Sequence, residues 1–189
     1  SSIVKSCAFS VFTDSISAGG SVRAINAKGY AEKLTRKEID KLTDYARGIG
    51  AKGLAWARST SQGTTCSFAK FMTEDELNAI YEKTGFAEGD VLLIMADGND
   101  KDVMTRMGSV RIELANRLGV EKEGYKLLWV VEMPFFEYDP DLGDFVAMHH
   151  PFTAPLDECL GILESDKANV RAKAYDLVLN GIELASGSI

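Results

Sequence analysis

The chain has 189 residues, of which 46% are hydrophobic and 26% are charged, and its formal net charge is −7 at pH 7. This composition is typical of a folded globular protein and excludes a disordered chain, and the negative net charge argues against general binding to DNA or other nucleic acids. The longest apolar runs, 91–96 and 127–131, are far shorter than the ~20 residues of a membrane-spanning helix, so no membrane partner is expected.

The first predicted elements are a hairpin and a helix. Residues 6–12 alternate roughly as a strand does, and residues 19–29 follow through a glycine turn as the expected hairpin partner. Thr35 and Glu38 then have the spacing of a capping box, with Leu34 placed as the staple residue before it. The helix that they begin has an apolar face and two glycines at its end: Ile39, Leu42, Tyr45, Ala46, Gly48 and Gly50.

Two further strands and two further helices are predicted before residue 120. Residues 52–58 and 90–98 are expected to be strands. Between them, Thr73 and Glu76 predict a second capping box, and Gly85 predicts the end of that helix. Residues 100–119 predict a long amphipathic helix, whose buried face is expected to be Val103, Met107, Val110, Leu114 and Leu118.

The composition changes after residue 120. Residues 1–120 contain 16 basic and 15 acidic side chains, whereas residues 121–189 contain 5 and 13, a net charge of +1 against −8. All four prolines and both histidines also lie in the second part. We therefore predict two differently built segments, with a boundary near residues 123–126.

The second segment predicts strands and short helices. Residues 127–132 are expected to be a strand, and residues 135–150 are two apolar runs joined by an Asp-Pro-Asp-Leu-Gly turn, a hairpin pattern. Residues 159–165 and 167–174 are expected to be short helices, and 175–189 a single strand. Together the elements predict an α+β fold with a mixed or antiparallel sheet and flanking helices.

Four residues of the second segment are candidates for chemistry. His149 and His150 are adjacent, so on a strand they point to opposite sides; we expect one to face a cavity and the other to face packing. Asp176 and Glu183 are seven residues apart and converge only if a break or bulge near Asn180-Gly181 intervenes. Converging carboxylates suit magnesium and phosphate oxygens. On residue type and spacing alone, a structural histidine pair and ordinary edge or turn acids are the more frequent outcome.

The three cysteines are widely spaced and odd in number. They fit neither a disulfide framework nor a zinc site, which favours a reducing, cytoplasmic compartment.

Two long stretches of the second segment resemble a known family. The stretches "LLWVVEMPFFEYDPDLGDFVAMHHPFTAP" and "AKAYDLVLNGIELASGSI" closely resemble catalytic-domain segments of bacterial-type aspartyl-tRNA synthetases. Upstream, "LTRKEIDKL" and "GAKGLAW" resemble the GAD insertion domain of the same enzymes. The resemblance implies a GAD-like insertion domain over residues 1–124 and part of a class II catalytic domain, an incomplete strip of antiparallel sheet, over residues 125–189.

The resemblance also implies an activity and its residues. The family is an ATP-dependent ligase that activates L-aspartate to aspartyl-adenylate and transfers it to the 3' end of tRNA. By motif position, His149 matches the histidine that contacts aspartate, and Asp176 and Glu183 match acids that hold ATP and magnesium. His150 and Gly187 are expected to support the wall of the site. A homodimeric parent enzyme is implied, with ATP and magnesium as substrates rather than a permanently bound cofactor.

Two features modify this expectation. Family members commonly have three glycines where this chain has Ala185, Ser186 and Gly187. The sequence also stops at Ile189, where the family pattern continues with a carboxylate-binding arginine, and it lacks the other ATP-binding motifs. The chain is therefore expected to be an internal fragment that is inactive in isolation, because most groups that would position ATP are missing.

Two alternatives remain open from sequence. One is a stand-alone GAD-type module that docks tRNA or protein, as in tRNA-dependent amidotransferases, since the near-neutral first segment could tolerate RNA. The other is a metal hydrolase built on the paired histidines.

Overall fold

The computed structural model describes residues 2–121 and 123–189. The chain divides into two compact units, one ending at Val120 and one beginning at Glu121. The fold class is α+β with antiparallel sheets and flanking helices, as predicted.

The first unit is built on a four-stranded antiparallel sheet. Its strands are β1 (Ser21–Ala27), β2 (Ala55–Thr60), β3 (Gly63–Cys66) and β4 (Val91–Asp97), in the order β1-β4-β2-β3. Strand β4 lies between β1 and β2 and is buried along residues 91–96. This explains why its sequence is a continuous apolar run rather than an alternating one. The short edge strand β3 was not predicted.

Helices cover both faces of this sheet. They are α1 (Ser10–Ser17), α2 (Arg36–Gly48), α3 (Glu74–Thr84) and α4 (Asp100–Leu118), with short 3-10 helices at Ser2–Val4 and Ala69–Phe71. Successive side chains of β4 point to opposite faces. Val91, Leu93 and Met95 therefore pack in one core with α2 and α4. Leu92, Ile94 and Ala96 pack in a second core with side chains of α1 and α3.

The predicted helix ends and faces are confirmed with one difference. In α3, Thr73 Oγ1 accepts from the Glu76 amide at 3.2 Å, and the Thr73 amide donates to the Glu76 carboxylate at 2.9 Å, which is a complete capping box. In α2, Thr35 Oγ1 accepts from the Glu38 amide at 3.4 Å, but the Glu38 carboxylate accepts from Lys41. All five predicted α4 positions are buried: Val103, Met107, Val110, Leu114 and Leu118.

The predicted hairpin at the start of the chain is wrong. Residues 10–17 are helix α1, and β1 pairs with β4, with Ser21 opposite Asp97 and Ala27 opposite Val91. Phe9, Phe12 and Ile16 are spaced three and four residues apart and all pack in the second core. The Phe9 and Phe12 rings meet edge to face at 4.7 Å. Helical spacing of these bulky residues outweighs the approximate alternation of residues 6–12.

The second unit contains a three-stranded antiparallel sheet and a separate hairpin. The sheet consists of β5 (Leu127–Val130), β8 (Ala174–Leu179) and β9 (Ile182–Ser188), in the order β5-β8-β9. The hairpin consists of β6 (Phe136–Asp139) and β7 (Asp144–Ala147), which confirms the predicted turn. Asp139 Oδ1 accepts from the amides of Asp141 and Leu142 inside that turn.

Two predictions for the second unit need correction. Residues 175–189 are two strands, because Asn180 and Gly181 have positive φ values of 49° and 84° and form a two-residue hairpin turn. An Asn-Gly pair between apolar runs is a strong hairpin signal. The two short helices predicted for residues 159–165 and 167–174 are instead 3-10 helices at Asp157–Ile162 and Lys167–Asn169, and β8 begins at Ala174.

Candidate functional site

The β8–β9 hairpin brings the two predicted acids to one face of the sheet. Val178 lies opposite Glu183, and Asp176 lies opposite Ser186. Because Asp176 and Val178 are two residues apart on β8, their side chains share a face, and their cross-strand partners share it as well. We call the face with Asp176, Glu183 and Ser186 the carboxylate face. The predicted convergence is thus produced by a turn at Asn180-Gly181 rather than by a break within one strand.

A β-bulge lies within the same hairpin. Leu177 pairs with Ala185 and Val178 pairs with Glu183, so Leu184 is an extra residue on β9. If the pairing continued regularly from Val178 and Glu183, Ala185 rather than Ser186 would lie opposite Asp176. The bulge therefore places the Ser186 hydroxyl beside a carboxylate, and bulges commonly re-aim side chains at functional sites. The sequence pattern gives no signal for Ser186 as a polar group of this face.

The opposite face of this sheet is apolar. It includes Trp129 of β5 and Tyr175 of β8, whose rings meet edge to face at 5.8 Å. Gly187 lies opposite Tyr175, and a Cβ atom at Gly187 would be 2.7 Å from the tyrosine ring. The absence of a side chain at residue 187 is thus explained by the Tyr175 ring, on the face away from the two acids. Its role as a wall of a ligand site stays a prediction.

The two histidines have different surroundings. His149 is half-buried, and its Nε2 lies 2.9 Å from the carbonyl oxygen of Pro134. Since a carbonyl oxygen only accepts, Nε2 carries the hydrogen of this bond, and Nδ1 is the ring nitrogen available to a ligand. His150 is exposed, its ring centroid is 4.7 Å from that of Phe152, and its Nδ1 accepts from the Phe152 amide at 3.4 Å.

The carbonyl group that holds His149 lies beyond the end of β5, the strand that pairs with Asp176. Asp176 is opposite Val130, whereas Pro134, which binds His149, is opposite Arg171. Pro134 is four positions after Val130, so their Cα atoms are at most roughly 13 Å apart at the rise of a strand. The register therefore places Asp176 and Glu183 on one face of the sheet, whereas His149 is held by a backbone carbonyl four positions beyond the partner of Asp176.

The described part of the chain contains no group of three or more His, Cys, Asp or Glu side chains that could hold a metal ion. Among the same residues, no helix is long and apolar enough to cross a membrane.

Comparison with known proteins identifies the family of the first unit. The family model of the GAD domain matches residues 12–107, which are 96 of the 189 residues. The chain belongs to the GAD-domain family. The matched residues include most of α1, all of α2 and α3, and the whole four-stranded sheet.

Similarity to individual proteins extends beyond the GAD domain. The chain is 49% identical over its whole length to the aspartate–tRNA ligase of Ruminiclostridium cellulolyticum and to the aspartate–tRNA(Asp/Asn) ligase of Lachnoclostridium phytofermentans. It is 48% identical over 98% of its length to the aspartate–tRNA(Asp/Asn) ligase of Heliobacterium modesticaldum. The chain spans about a third of the length of these relatives. Because the similarity covers residues outside the GAD domain as well, a stand-alone docking module is not favoured.

Proposed function

We propose that the chain is a segment of an aspartate–tRNA ligase. The parent enzyme would activate L-aspartate with ATP to aspartyl-adenylate and transfer the aspartyl group to the 3' end of tRNA. Residues 1–124 would be the GAD insertion domain, and residues 125–189 would be part of the class II catalytic domain. The observation that supports this function best is the register of the β8–β9 hairpin, which places Asp176 and Glu183 on one face of the sheet.

The residues of the carboxylate face suit magnesium bound with ATP. Mg²⁺ prefers oxygen ligands, keeps several waters, and is commonly held by one or two carboxylates together with substrate phosphates. Asp176 and Glu183 supply two carboxylates beside the Ser186 hydroxyl, and both lie within reach of solvent. Bound there, the metal would neutralise charge on the phosphates of ATP. The two acids would orient it toward those phosphates, with no need for a permanently bound cofactor.

His149 would bind the aspartate end of the same ligand. Its ring is held by the Pro134 carbonyl through Nε2, which fixes its orientation and presents Nδ1. In the protonated ring, Nδ1–H can donate a charge-assisted hydrogen bond to the aspartate carboxylate. In aspartyl-adenylate the aspartyl group is bonded directly to the phosphate and the adenosine lies on its other side. His149 would thus contact the aspartyl part while the carboxylate face holds the metal at the phosphate. His150 would support the wall through its contact with Phe152.

The remaining properties follow from the proposed parent enzyme. It would be a cytoplasmic homodimer with L-aspartate, ATP and tRNA as partners. The 189-residue chain alone should show no aspartate-dependent pyrophosphate exchange above background, because it spans about a third of its relatives and the reactants must be held together for activation.

The test compares variants of the longer protein that contains this chain. Losing a hydrogen bond to a charged group costs about 1.5–3 kcal/mol, or roughly 10- to 150-fold in affinity. His149→Ala should therefore raise the KM for aspartate at least about tenfold and leave the KM for ATP nearly unchanged. Glu183→Gln should mainly weaken the binding of ATP and magnesium, because it removes a negative charge that would face the metal. His150→Ala is the matched control and should act mainly on thermal stability. An unchanged aspartate KM in His149→Ala would make the histidine pair structural.

A further inference from the structure

A cavity of about 410 Å³ lies in the first unit, where β2 begins. Strand β2 starts at Ala55, which is opposite Ile94 of β4. Beyond that pair, β4 continues to Asp97 while the chain before Ala55 has left the sheet. The cavity lies at the resulting notch, between the start of α1, the last turns of α2 and residues 52–55. Its volume is in the range of small-molecule sites.

The inner and outer walls of this cavity differ in chemistry. The floor is apolar and buried, formed by Phe12, Leu54, Ile94 and Ala96. The charged groups of the rim are Arg47, Lys52 and Asp14. An apolar floor with a few polar groups at the mouth favours a ligand with an apolar body and one charged end.

The charged groups of the rim are available to a ligand. The side chains of Lys52 and Asp14 have no hydrogen-bond or ion-pair partner within the described ranges 2–121 and 123–189. Arg47 pairs with Asp44 at 3.2 Å, with both side chains more than half exposed. An exposed ion pair of this kind contributes little stability, so the guanidinium can turn toward the cavity at low cost.

The charge of the rim selects among possible ligands. Two cations and one anion leave a net charge of +1, which suits a monoanion better than a dianion or a cation. The first turn of α1, which lines the same cavity, contains no acidic residue, so its amide dipoles add to the positive potential. We propose that this cavity binds a small apolar monocarboxylate, with the carboxylate at Arg47 and Lys52 and the apolar body on the floor. None of the residues that line this cavity belongs to the carboxylate face, and the proposal does not depend on the ligase proposal.

The experiment is a titration of the 189-residue chain with N-acetyl-L-phenylalanine, followed through backbone amide shifts. We expect shifts centred on Ala55 and Ala96, none at Ala147 of the second unit, and a Kd on the order of 1 mM for a ligand of this size. Phenyl phosphate at about pH 8, as a dianion, and L-phenylalaninamide at about pH 6, as a cation, should bind more weakly than the carboxylate.

Charge variants then test which side chains of the rim bind the carboxylate of the ligand. Arg47→Gln and Lys52→Gln should each weaken binding of N-acetyl-L-phenylalanine about two- to fivefold, the range for exposed charge pairs. Lys41→Gln, on α2 but outside the cavity, should leave binding unchanged and is the matched control. Asp14→Asn should tighten binding of phenyl phosphate. The proposal is overturned if shifts do not appear at Ala55 and Ala96. It is equally overturned if the double variant Arg47→Gln/Lys52→Gln binds as tightly as Lys41→Gln.

Discussion

Asp90 is a buried carboxylate that joins three parts of the first unit. One oxygen accepts from the Gly29 amide at 2.8 Å, and the other accepts from Asn26 Nδ2 at 2.9 Å and the Ala87 amide at 3.1 Å. Burial alone would raise the pKa of Asp90, but these hydrogen bonds to the charged form hold the pKa below its ordinary value of 3.8. Asp90 therefore stabilises the fold in its ionised form, at the turn that leads into β4.

Replacing this carboxylate should destabilise the first unit in a pH-dependent way. In Asp90→Asn, an amide N–H group would replace one accepting oxygen and would face a backbone N–H donor. We expect the free energy of unfolding to fall by about 1–3 kcal/mol at pH 7. Because the folded-state pKa is lowered, the contribution is fully present above the unfolded-state value and is lost as pH falls through the folded-state pKa. In urea unfolding, the difference in the free energy of unfolding between wild type and variant should thus be full above about pH 5. It should shrink as the pH falls below 3.8.

Glu88→Gln provides the control for Asp90, since this exposed neighbour has no hydrogen-bond or ion-pair partner among the residues that the structure describes. It should leave stability nearly unchanged at both pH values. A loss in Asp90→Asn that did not change between pH 7 and pH 3 would contradict an ionised role for Asp90.

At the scale of elements, the two helix caps of the first unit differ in completeness. Thr73 and Glu76 satisfy two backbone donors of α3, whereas the structure shows only the Thr35 half of the corresponding pattern at α2. We expect Thr73→Ala to lower the free energy of unfolding by about 1 kcal/mol, within the range of N-cap losses. Thr35→Ala should cost less, because its hydrogen bond is longer. Urea unfolding at pH 7 measures both, and equal losses would argue against the difference.

Sequence patterns located the elements whose signal is local. The caps at Thr35 and Thr73, the apolar face of α4 and the run 91–96 follow from spacing and capping chemistry within one segment, and the structure confirms them. Strand partners are harder to predict from sequence, because pairing depends on residues that are far apart in the chain. Thus β1 was predicted correctly as a strand but given residues 6–12 as its partner, whereas β4 is its neighbour.

The candidate site was predictable in its residues and only partly in its geometry. Asp176 and Glu183 could be named, but their shared face depends on the Asn180-Gly181 turn and their register on the extra residue Leu184. The Asn-Gly turn could have been recognised from sequence. The bulge at Leu184 could not, because no residue in "ELASGS" requires one, so the position of Ser186 opposite Asp176 was not predicted.

At the scale of the whole chain, the two units differ in how much apolar surface they bury. The first unit has two cores around β4. In the second unit, large apolar side chains of β5 remain exposed, with Leu127 at 62% and Trp129 at 60%. Exposed apolar patches mark surfaces that pack against a partner, and an open sheet edge can pair with another chain. Any self-association of the isolated chain should therefore involve residues 125–189.

The same contrast predicts how long backbone amides resist hydrogen exchange. Residues 91–96 are buried in a strand that pairs on both sides, so their exchange requires opening of the first unit. Residues 176–184 span the hairpin of β8, which is half-buried, and β9, which is mostly exposed and lies at the sheet edge. In dilute monomer, amides of residues 91–96 should therefore exchange far more slowly than those of 176–184. Raising the protein concentration should protect the hairpin and leave residues 91–96 unchanged. Equal protection of the two segments in the monomer would show that the hairpin is as stable as the core of the first unit.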